Sequence, residues 1–177
     1  MIDVKKFRLY VITDSCEIAE QALKGGAKAI QYREKNRDTA DLIKKGKKIK
    51  ELCDEHGALF MVNDRIDVAL ALEASGVHLG DRDMPLDIAR KLIGDKIIGA
   101  SASSEEDALK VERVADYIGF GSIFPTGSKD RVVVTGLEPL KEAKKKAKIP
   151  IIAIGGITLE NAREVVDIAD GVAVISA

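Results

Sequence analysis

The sequence contains few cysteines and histidines, which limits the chemistry available to it. Its 177 residues include two cysteines, Cys16 and Cys53, and two histidines, His56 and His78. Two cysteines outside any CxxC pattern form no disulfide framework, which is typical of a reduced cytoplasm. Cys53 and His56 could supply half of a zinc site, but a structural zinc site takes four ligands and no second pair completes it. We therefore expect a cytoplasmic protein with neither a disulfide scaffold nor structural zinc.

Long apolar runs and an excess of one charge are also missing. No apolar run approaches the roughly 20 residues that a membrane-spanning helix needs. Lys and Arg together number 28 and Asp and Glu 29, so the formal net charge is −1. A balanced charge argues against binding to nucleic acid or to a membrane surface through bulk electrostatics. The chain enters a strand-like run at Arg8, so we expect no signal peptide. We therefore predict no nucleic-acid partner and no membrane.

Short β-branched or apolar runs alternate with amphipathic helical segments along the whole chain. The helical segments repeat apolar residues at three- and four-residue spacing, and Asp38, Ser104 and Thr158 are good N-cap candidates. The eight strand candidates are Arg8–Ile12, Ala27–Arg33, Leu59–Asn63, Gly76–Gly80, Lys96–Ser101, Tyr117–Ile123, Pro150–Gly155 and Gly171–Ser176. This alternation predicts a parallel sheet. Eight units favour closure into an α/β (β/α)₈ TIM barrel, with a doubly wound sheet as the alternative.

The predicted barrel is compact. A TIM barrel usually takes roughly 250 residues, whereas we predict one TIM-barrel domain over residues 1–177. The sequence stops at Ala177, directly after the eighth strand candidate, so we expect a barrel without its eighth helix. Because that strand is apolar on both faces, as buried parallel strands are, we expect its outer flank to be exposed. We predict a homodimer that buries this flank through Val172 and Val174 or their neighbours.

Polar side chains stand at the carboxyl ends of seven strand candidates, where TIM barrels hold their active sites. On the second strand candidate, Gln31, Arg33 and Lys35 occupy alternate positions, so they project to one side. Taken alone, this pattern is also typical of an edge strand whose polar face is solvated. The other polar ends carry Asn63, Asp64, Asp83, Ser101, Thr126, Ser128, Lys129, Gly155, Gly156 and Ser176. Seven such ends at one rim favour a binding site over a solvated edge.

The charged residues at this rim favour a diphosphate site with a metal ion. Arg33, Lys35 and Lys129 are cations expected to converge, and Arg offers phosphate a planar fork while Lys offers a point charge. Asp64 and Asp83 follow adjacent strands. Carboxylates beside a cationic phosphate pocket suggest Mg²⁺, which one or two side chains hold together with phosphate oxygens and water.

A second anion site is expected beside the last two strands. Barrels often bind a phosphate with backbone N–H groups in the loops after strands seven and eight, and Gly155 and Gly156 stand in the first of these loops. His78 lies inside a strand candidate and is expected to be a hydrogen-bonded strand residue, while His56 is expected at a helix end. A reaction with little need for acid–base catalysis fits best, and departure of a metal-bound diphosphate is one.

The sequence resembles the family of thiamine phosphate synthases and TenI-type thiazole tautomerases. The resemblance covers nearly the whole chain, and the matching segments include "IQYREK", "FMVNDR", "GVHLGDRDMP", "DYIGFGSIFPTGSK" and "PIIAIGGI", in family order. It implies a (β/α)₈ barrel. It also implies the Mg²⁺-dependent synthase reaction, in which hydroxymethylpyrimidine diphosphate and thiazole phosphate give thiamine phosphate and diphosphate.

The resemblance implies roles for individual residues. The residues implied to hold the pyrimidine diphosphate are Gln31, Arg33, Lys35, Asn63, Ser101 and Lys129. Those implied for the thiazole phosphate are Thr126, Ser128, Gly155, Gly156, Ile175 and Ser176. The implied metal ligands are Asp64 and Asp83. The implied catalytic residues are Arg33, Lys35, Lys129 and Ser101, with the cations stabilising the charge of the departing diphosphate.

Two other functions are compared with the synthase, and departures from the family pattern motivate the first of them. Asp81 stands where Gln is usual, the segment from Asp14 to Ala27 is shortened so that the first βα unit is cut back, and the eighth helix is missing. A non-catalytic paralogue that binds a phosphate ligand is therefore one alternative, although the intact charged set argues against it. A TenI-type tautomerase would be expected to carry His where Ser122 stands, and would tend to lack Asp83. Both features favour the synthase.

Overall fold

The computed structural model of the protein describes residues 2–126 and 134–175. Strands and helices alternate throughout them. The strands are β1 (Leu9–Thr13), β2 (Ala29–Tyr32), β3 (Leu59–Asn63), β4 (Gly76–Leu79), β5 (Ile97–Ala102), β6 (Tyr117–Phe120), β7 (Ile151–Ile154) and β8 (Gly171–Val174). The helices are α1 (Cys16–Lys24), α2 (Thr39–Glu55), α3 (Ile66–Ala71), α4 (Leu86–Ile93), α5 (Glu105–Val111), α6 (Leu137–Lys146) and α7 (Ala162–Val166). A short 3₁₀ helix, Val4–Phe7, precedes β1.

The strands pair in parallel and in chain order, and the sheet closes between β1 and β8. Closure pairs Leu9 with Val172 and Val11 with Val174. The predicted (β/α)₈ barrel is therefore confirmed, and the doubly wound alternative is wrong because such a sheet leaves its outer strands unpaired. Within the described residues no helix follows β8. That residues 1–177 form a single domain stays a prediction.

The helices begin close to the predicted positions, with one exception. Ser104 caps α5, since its hydroxyl accepts a bond from a backbone N–H of the first turn, while Asp38 precedes α2 without making such a bond. Thr158 does not cap α7, because the helix begins after Asn161. The Asn161 side chain instead accepts from the Thr158 N–H and donates to the Gly156 carbonyl, at 2.8 and 2.9 Å. None of the described helices is long and apolar enough to cross a membrane.

Aromatic rings close the amino-terminal end of the barrel. Phe7 is fully buried, and its ring centroid lies 5.3 Å from that of Tyr10 and 4.7 Å from that of Tyr117. Tyr10 and Tyr117 come from β1 and β6 and fill the barrel interior. The 3₁₀ helix therefore acts as a plug that keeps water away from the strands at this end.

The outer flank of β8 is covered, so the predicted exposed flank is wrong. Val172 is 7% exposed and belongs to one apolar cluster with Val165 of α7 and the nearby Ala169. Val174 is half-buried, and it packs against this cluster and the neighbouring one. Helix α7 and the segment after it lie against β8 and take over part of the cover that a following helix would supply.

We expect Phe7→Ala to lower the free energy of unfolding by about 3–5 kcal/mol, the usual range for truncating a buried Phe. Denaturant titration of the purified variant measures this loss. Leu159→Ala is the control, because Leu159 is 93% exposed, and its unfolding free energy should match that of the parent. Equal stability of both variants would contradict the role of the 3₁₀ helix as a plug.

Candidate active site

A cavity of about 920 Å³ opens at the carboxyl ends of the strands. The predicted site residues that line it are Asp83, Ser101, Thr126, Gly155, Gly156 and Ile175. Three other predicted residues, Ser128, Lys129 and Ser176, lie outside the described part of the chain. The structure thus brings the loops after β4, β6 and β7 and the ends of β5 and β8 to one cavity.

Asp64 and Asp83 form a carboxylate pair at the same rim. Asp64 directly follows β3 with a backbone φ of 61°, and its N–H donates to the His78 carbonyl at 2.9 Å. Asp83 accepts a bond from the Gly80 N–H at 2.6 Å, and its carboxyl group is in hydrogen-bond contact with that of Asp64. A left-handed backbone at a non-glycine residue costs energy and is often retained at functional sites. Here it belongs to one member of the carboxylate pair.

The electrostatics of this pair fit a divalent cation. Burial, together with the hydrogen bond and the charge of Asp83, raises the pKa of Asp64 to about 6, while Lys35 and Arg33 act in the opposite direction. Above that pH two like charges face each other, and a cation between them would relieve the repulsion. Mg²⁺ suits the pair, since it prefers oxygen ligands and often takes only one or two from protein. Among the described residues no cluster of three or more acidic, His or Cys side chains could enclose a metal, so further ligands would come from substrate and water.

Glu34 anchors the segment that carries Arg33 and Lys35. Its carboxylate accepts hydrogen bonds from Tyr32 Oη at 2.8 Å, Arg37 Nε at 2.7 Å and Lys45 Nζ at 3.2 Å. Although burial raises the pKa of Glu34, these bonds hold it below its usual range. Successive residues of an extended segment point to opposite sides, so Glu34 fixes the backbone between two neighbours, Arg33 and Lys35, whose charges act on Asp64. Sequence analysis missed Glu34, although its position between two cations was the available signal.

Gln31 lies inside the barrel rather than at its rim. It is 1% exposed, and its Nε2 donates to the Tyr10 hydroxyl at 2.8 Å. It therefore faces the barrel interior and is not on the wall of the 920 Å³ cavity. Asn63, at the end of β3, is half-buried and also stands off this wall. Gln31 thus lies below the rim, whereas Arg33 directly follows the last residue of β2.

His78 is a hydrogen-bonded strand residue, as expected, and it also contacts a predicted site residue. Its Nδ1 lies 3.0 Å from the Tyr117 hydroxyl, and its Nε2 lies 3.0 Å from Ser101 Oγ. Sequence analysis did not identify Tyr10 or Tyr117, because an aromatic residue in a strand that is apolar on both faces does not reveal the side to which it points.

The Gly155–Gly156 turn after β7 can be built only from glycine. Both residues have positive φ, 101° and 63°. A Cβ at Gly155 would lie 1.9 Å from Ser122 Oγ, and one at Gly156 would lie 2.5 Å from the Pro125 carbonyl oxygen. The turn therefore packs directly against the loop after β6 and exposes backbone to the cavity, an arrangement that suits anion binding by N–H groups.

A closed parallel barrel with a cavity at its carboxyl rim places the chain in the class of (β/α)₈-barrel proteins with a rim site. The family model described as "Thiamine monophosphate synthase" matches residues 9–177. The chain therefore belongs to the thiamine monophosphate synthase family.

Individual relatives agree with this family. The chain is 53% identical over 180 residues to the thiamine-phosphate synthase of Pyrococcus horikoshii, covering 98% of this chain and 87% of that protein. It is 51% identical over 177 residues to the thiamine-phosphate synthase of Chlorobium phaeovibrioides, with coverages of 96% and 85%. The solved structure of thiamine phosphate pyrophosphorylase from Pyrococcus furiosus superposes with a TM-score of 0.93 at 49% identity, over 98% of this chain and 88% of that one.

The raised pKa of Asp64 predicts a pH-dependent effect of Asp64→Asn on stability. The folded protein ionises this carboxyl only above pH 6 or so, whereas the unfolded chain does so near its ordinary value of about 3.9. The charged pair therefore lowers stability above pH 6, and this loss fades as the pH falls towards 4. Asp64→Asn should raise the melting temperature relative to the parent at pH 7.5 without divalent metal, and should raise it less at pH 4.5.

Thermal unfolding of both proteins at the two pH values tests this. Asp95→Asn is the control, because Asp95 is an exposed carboxylate in the turn after α4, and its effect should be small at both. The same shift for Asp64→Asn at pH 4.5 and pH 7.5 would contradict the assigned cause.

Proposed function

We propose that this protein is a thiamine phosphate synthase, a transferase that joins hydroxymethylpyrimidine diphosphate to thiazole phosphate and releases diphosphate. The Asp64–Asp83 pair, with Arg33 and Lys35 acting on it, carries this proposal. A diphosphate needs cationic groups and a metal, whereas a tautomerase acting on thiazole phosphate alone needs no diphosphate-activating set. Relatives about half identical over nearly the whole chain bear the synthase name.

The chain's own residues divide between the two substrates. Those proposed for the pyrimidine diphosphate are Gln31, Arg33, Lys35, Asn63, Ser101 and Lys129. Those proposed for the thiazole phosphate are Thr126, Ser128, Gly155, Gly156, Ile175 and Ser176. The turn after β7, with its backbone facing the cavity, supports the second set. The carboxylate pair, on the opposite part of the rim, supports the first.

The reaction requires the stabilisation of a leaving group. The bond between the pyrimidine methylene carbon and the diphosphate oxygen breaks, its electron pair leaves with the diphosphate, and the thiazole nitrogen captures the carbon. Arg33 and Lys35 meet the charge that grows on the departing oxygen, as preorganised cations do. Mg²⁺ bound by Asp64 and Asp83 would add positive charge at the same place.

The direct test incubates the parent with both substrates and Mg²⁺ and looks for thiamine phosphate by mass. Asp83→Asn should reduce turnover roughly 100-fold at limiting Mg²⁺, the effect of removing one group that stabilises transition-state charge. Its affinity for thiazole phosphate should be nearly unchanged, because the two anion sites are distinct. Asp95→Asn should behave as the parent. No product from the parent would refute the synthase and favour the binding paralogue.

Arg33→Ala should lower kcat and kcat/KM together, by roughly 100-fold, because a contact that strengthens in the transition state is lost. The KM for thiazole phosphate should change little. Steady-state kinetics with each substrate varied in turn measures both effects. Arg163→Ala, an exposed arginine on α7, is the matched control. A rise in the thiazole phosphate KM alone would place Arg33 at the other substrate.

A homodimer is also part of the proposal. Helix α7 lies against β8, and α1 follows β1, the strand that pairs with β8. Ile18 on α1 and Val166 on α7 are 46% and 49% exposed. These side chains, rather than β8 itself, offer the apolar surface for a partner subunit. Light scattering over a dilution series should show a dimer that Val166→Glu converts to monomer. Ile88→Glu, at a similar 45% exposure on α4, should leave the dimer intact, and a monomeric parent would refute this part.

A cytoplasmic location is also part of the proposal. Cys16 and Cys53 are free thiols, and free thiols persist in a reducing compartment. The burial of Cys53 raises its thiol pKa to about 12, so it is an inert core side chain. Both observations suit an enzyme that works in the cytoplasm on small-molecule substrates.

A further inference from the structure

A continuous chain of hydrogen bonds crosses the barrel interior. Gln31 Nε2 donates to the Tyr10 hydroxyl at 2.8 Å, and that hydroxyl lies 3.0 Å from the hydroxyl of Tyr117. The Tyr117 hydroxyl lies 3.0 Å from His78 Nδ1, and His78 Nε2 lies 3.0 Å from Ser101 Oγ. The two ends are side chains proposed to hold the pyrimidine diphosphate. The three between them, Tyr10, Tyr117 and His78, have no role assigned so far, and we call them the relay.

The barrel interior leaves space for the relay. Gly99 of β5 and Gly119 of β6 stand where a larger residue would collide with it. A Cβ at Gly99 would lie 2.1 Å from Tyr117 Cζ, and a Cβ at Gly119 would lie 2.7 Å from His78 Cε1. Glycine at these two inward positions leaves room for the Tyr117 phenol to contact the His78 imidazole. Rings that only filled a core would not require glycine at both positions.

The number of protons that each group carries sets which group donates in each hydrogen bond of the relay. Burial raises the pKa of both Tyr10 and Tyr117, so each hydroxyl keeps its single proton. The Gln31 amide donates to Tyr10, so the acceptor within reach of the buried Tyr10 proton is the oxygen of Tyr117. With that bond accepted, Tyr117 has His78 Nδ1 as the acceptor for its own proton, and a neutral imidazole that accepts at Nδ1 carries its proton on Nε2. That N–H donates to Ser101 Oγ, and the serine hydroxyl proton is left to point elsewhere.

We propose that Tyr10, Tyr117 and His78 are positioning residues that hold the Ser101 hydroxyl as a hydrogen-bond donor towards the cavity. Ser101 lines that cavity, and its oxygen accepts the histidine N–H. Its own proton is then left to donate, and a hydroxyl donor suits an anionic oxygen such as one of the diphosphate. This role of Ser101 rests on the proposed synthase function, whereas the direction of the relay does not.

Histidine tautomers test the direction without any substrate. The protein has two histidines, and His56 is an internal reference because its Nδ1 lies 2.9 Å from the Leu52 carbonyl oxygen, which can only accept. Long-range ¹H–¹⁵N NMR spectra of the histidine-labelled protein, at a pH of about 8 where an unperturbed imidazole is neutral, should show His78 protonated on Nε2 and His56 on Nδ1. In Tyr117→Phe the preference of His78 should weaken. A proton on Nδ1 of His78 in the parent would overturn the proposal.

A double-mutant cycle tests whether the relay acts through Ser101. Tyr117→Phe keeps the ring and should lower kcat roughly fivefold, the loss that corresponds to one net hydrogen bond. In a Ser101→Ala background the same change should have less than a roughly twofold effect, because the group that it positions is gone. Tyr32→Phe removes a phenol hydroxyl outside the relay and should have the same factor in both backgrounds.

The two experiments separate the relay from the proposed function. Equal effects of Tyr117→Phe in both backgrounds would overturn the positioning role. If the parent makes no thiamine phosphate, the synthase proposal fails, and the tautomer of His78 alone decides whether the directed relay exists.

Discussion

Closure of the sheet between β1 and β8 is the constraint on which the rest of the structure depends. Parallel strands must be covered on both faces, and an open sheet would leave two edges of unpaired backbone groups. Pairing Leu9 with Val172 removes both edges and gives the barrel an enclosed interior. Closure also gathers the carboxyl ends of all eight strands at one rim. Polar residues that follow different strands therefore become neighbours although they are far apart along the chain.

Opposing charges at this rim are balanced rather than paired one to one. Burial, the hydrogen bond with Asp83 and the charge of Asp83 raise the pKa of Asp64, even though Lys35 and Arg33 act against them. An arrangement of this kind is poor for stability and well suited to binding a cation together with an anionic substrate. The neighbouring Glu34 differs from this pair, because its carboxylate accepts hydrogen bonds from three donors. It therefore holds the segment that carries Arg33 and Lys35.

The side chains inside the barrel form two layers with different roles. At the amino-terminal end Phe7 and the tyrosine rings form an apolar plug. Towards the rim the same tyrosines turn their hydroxyls to Gln31 and His78. A tyrosine suits both duties, because its ring fills a core while its hydroxyl needs a partner when buried. The fold is thereby connected to the site through side chains that belong to both.

The sequence by itself determined the alternation of strands and helices, the polar ends of the strands and the residue types at the rim, because these depend on periodicity and local chemistry. It did not show that Gln31 lies below the rim, that Glu34 supports its neighbours or that α7 and the segment after it cover the flank of β8. Only the tertiary structure decided those points. The Tyr10 and Tyr117 hydroxyls meet although 107 positions separate them, since barrel curvature and register, not local pattern, set which inward side chains come into contact.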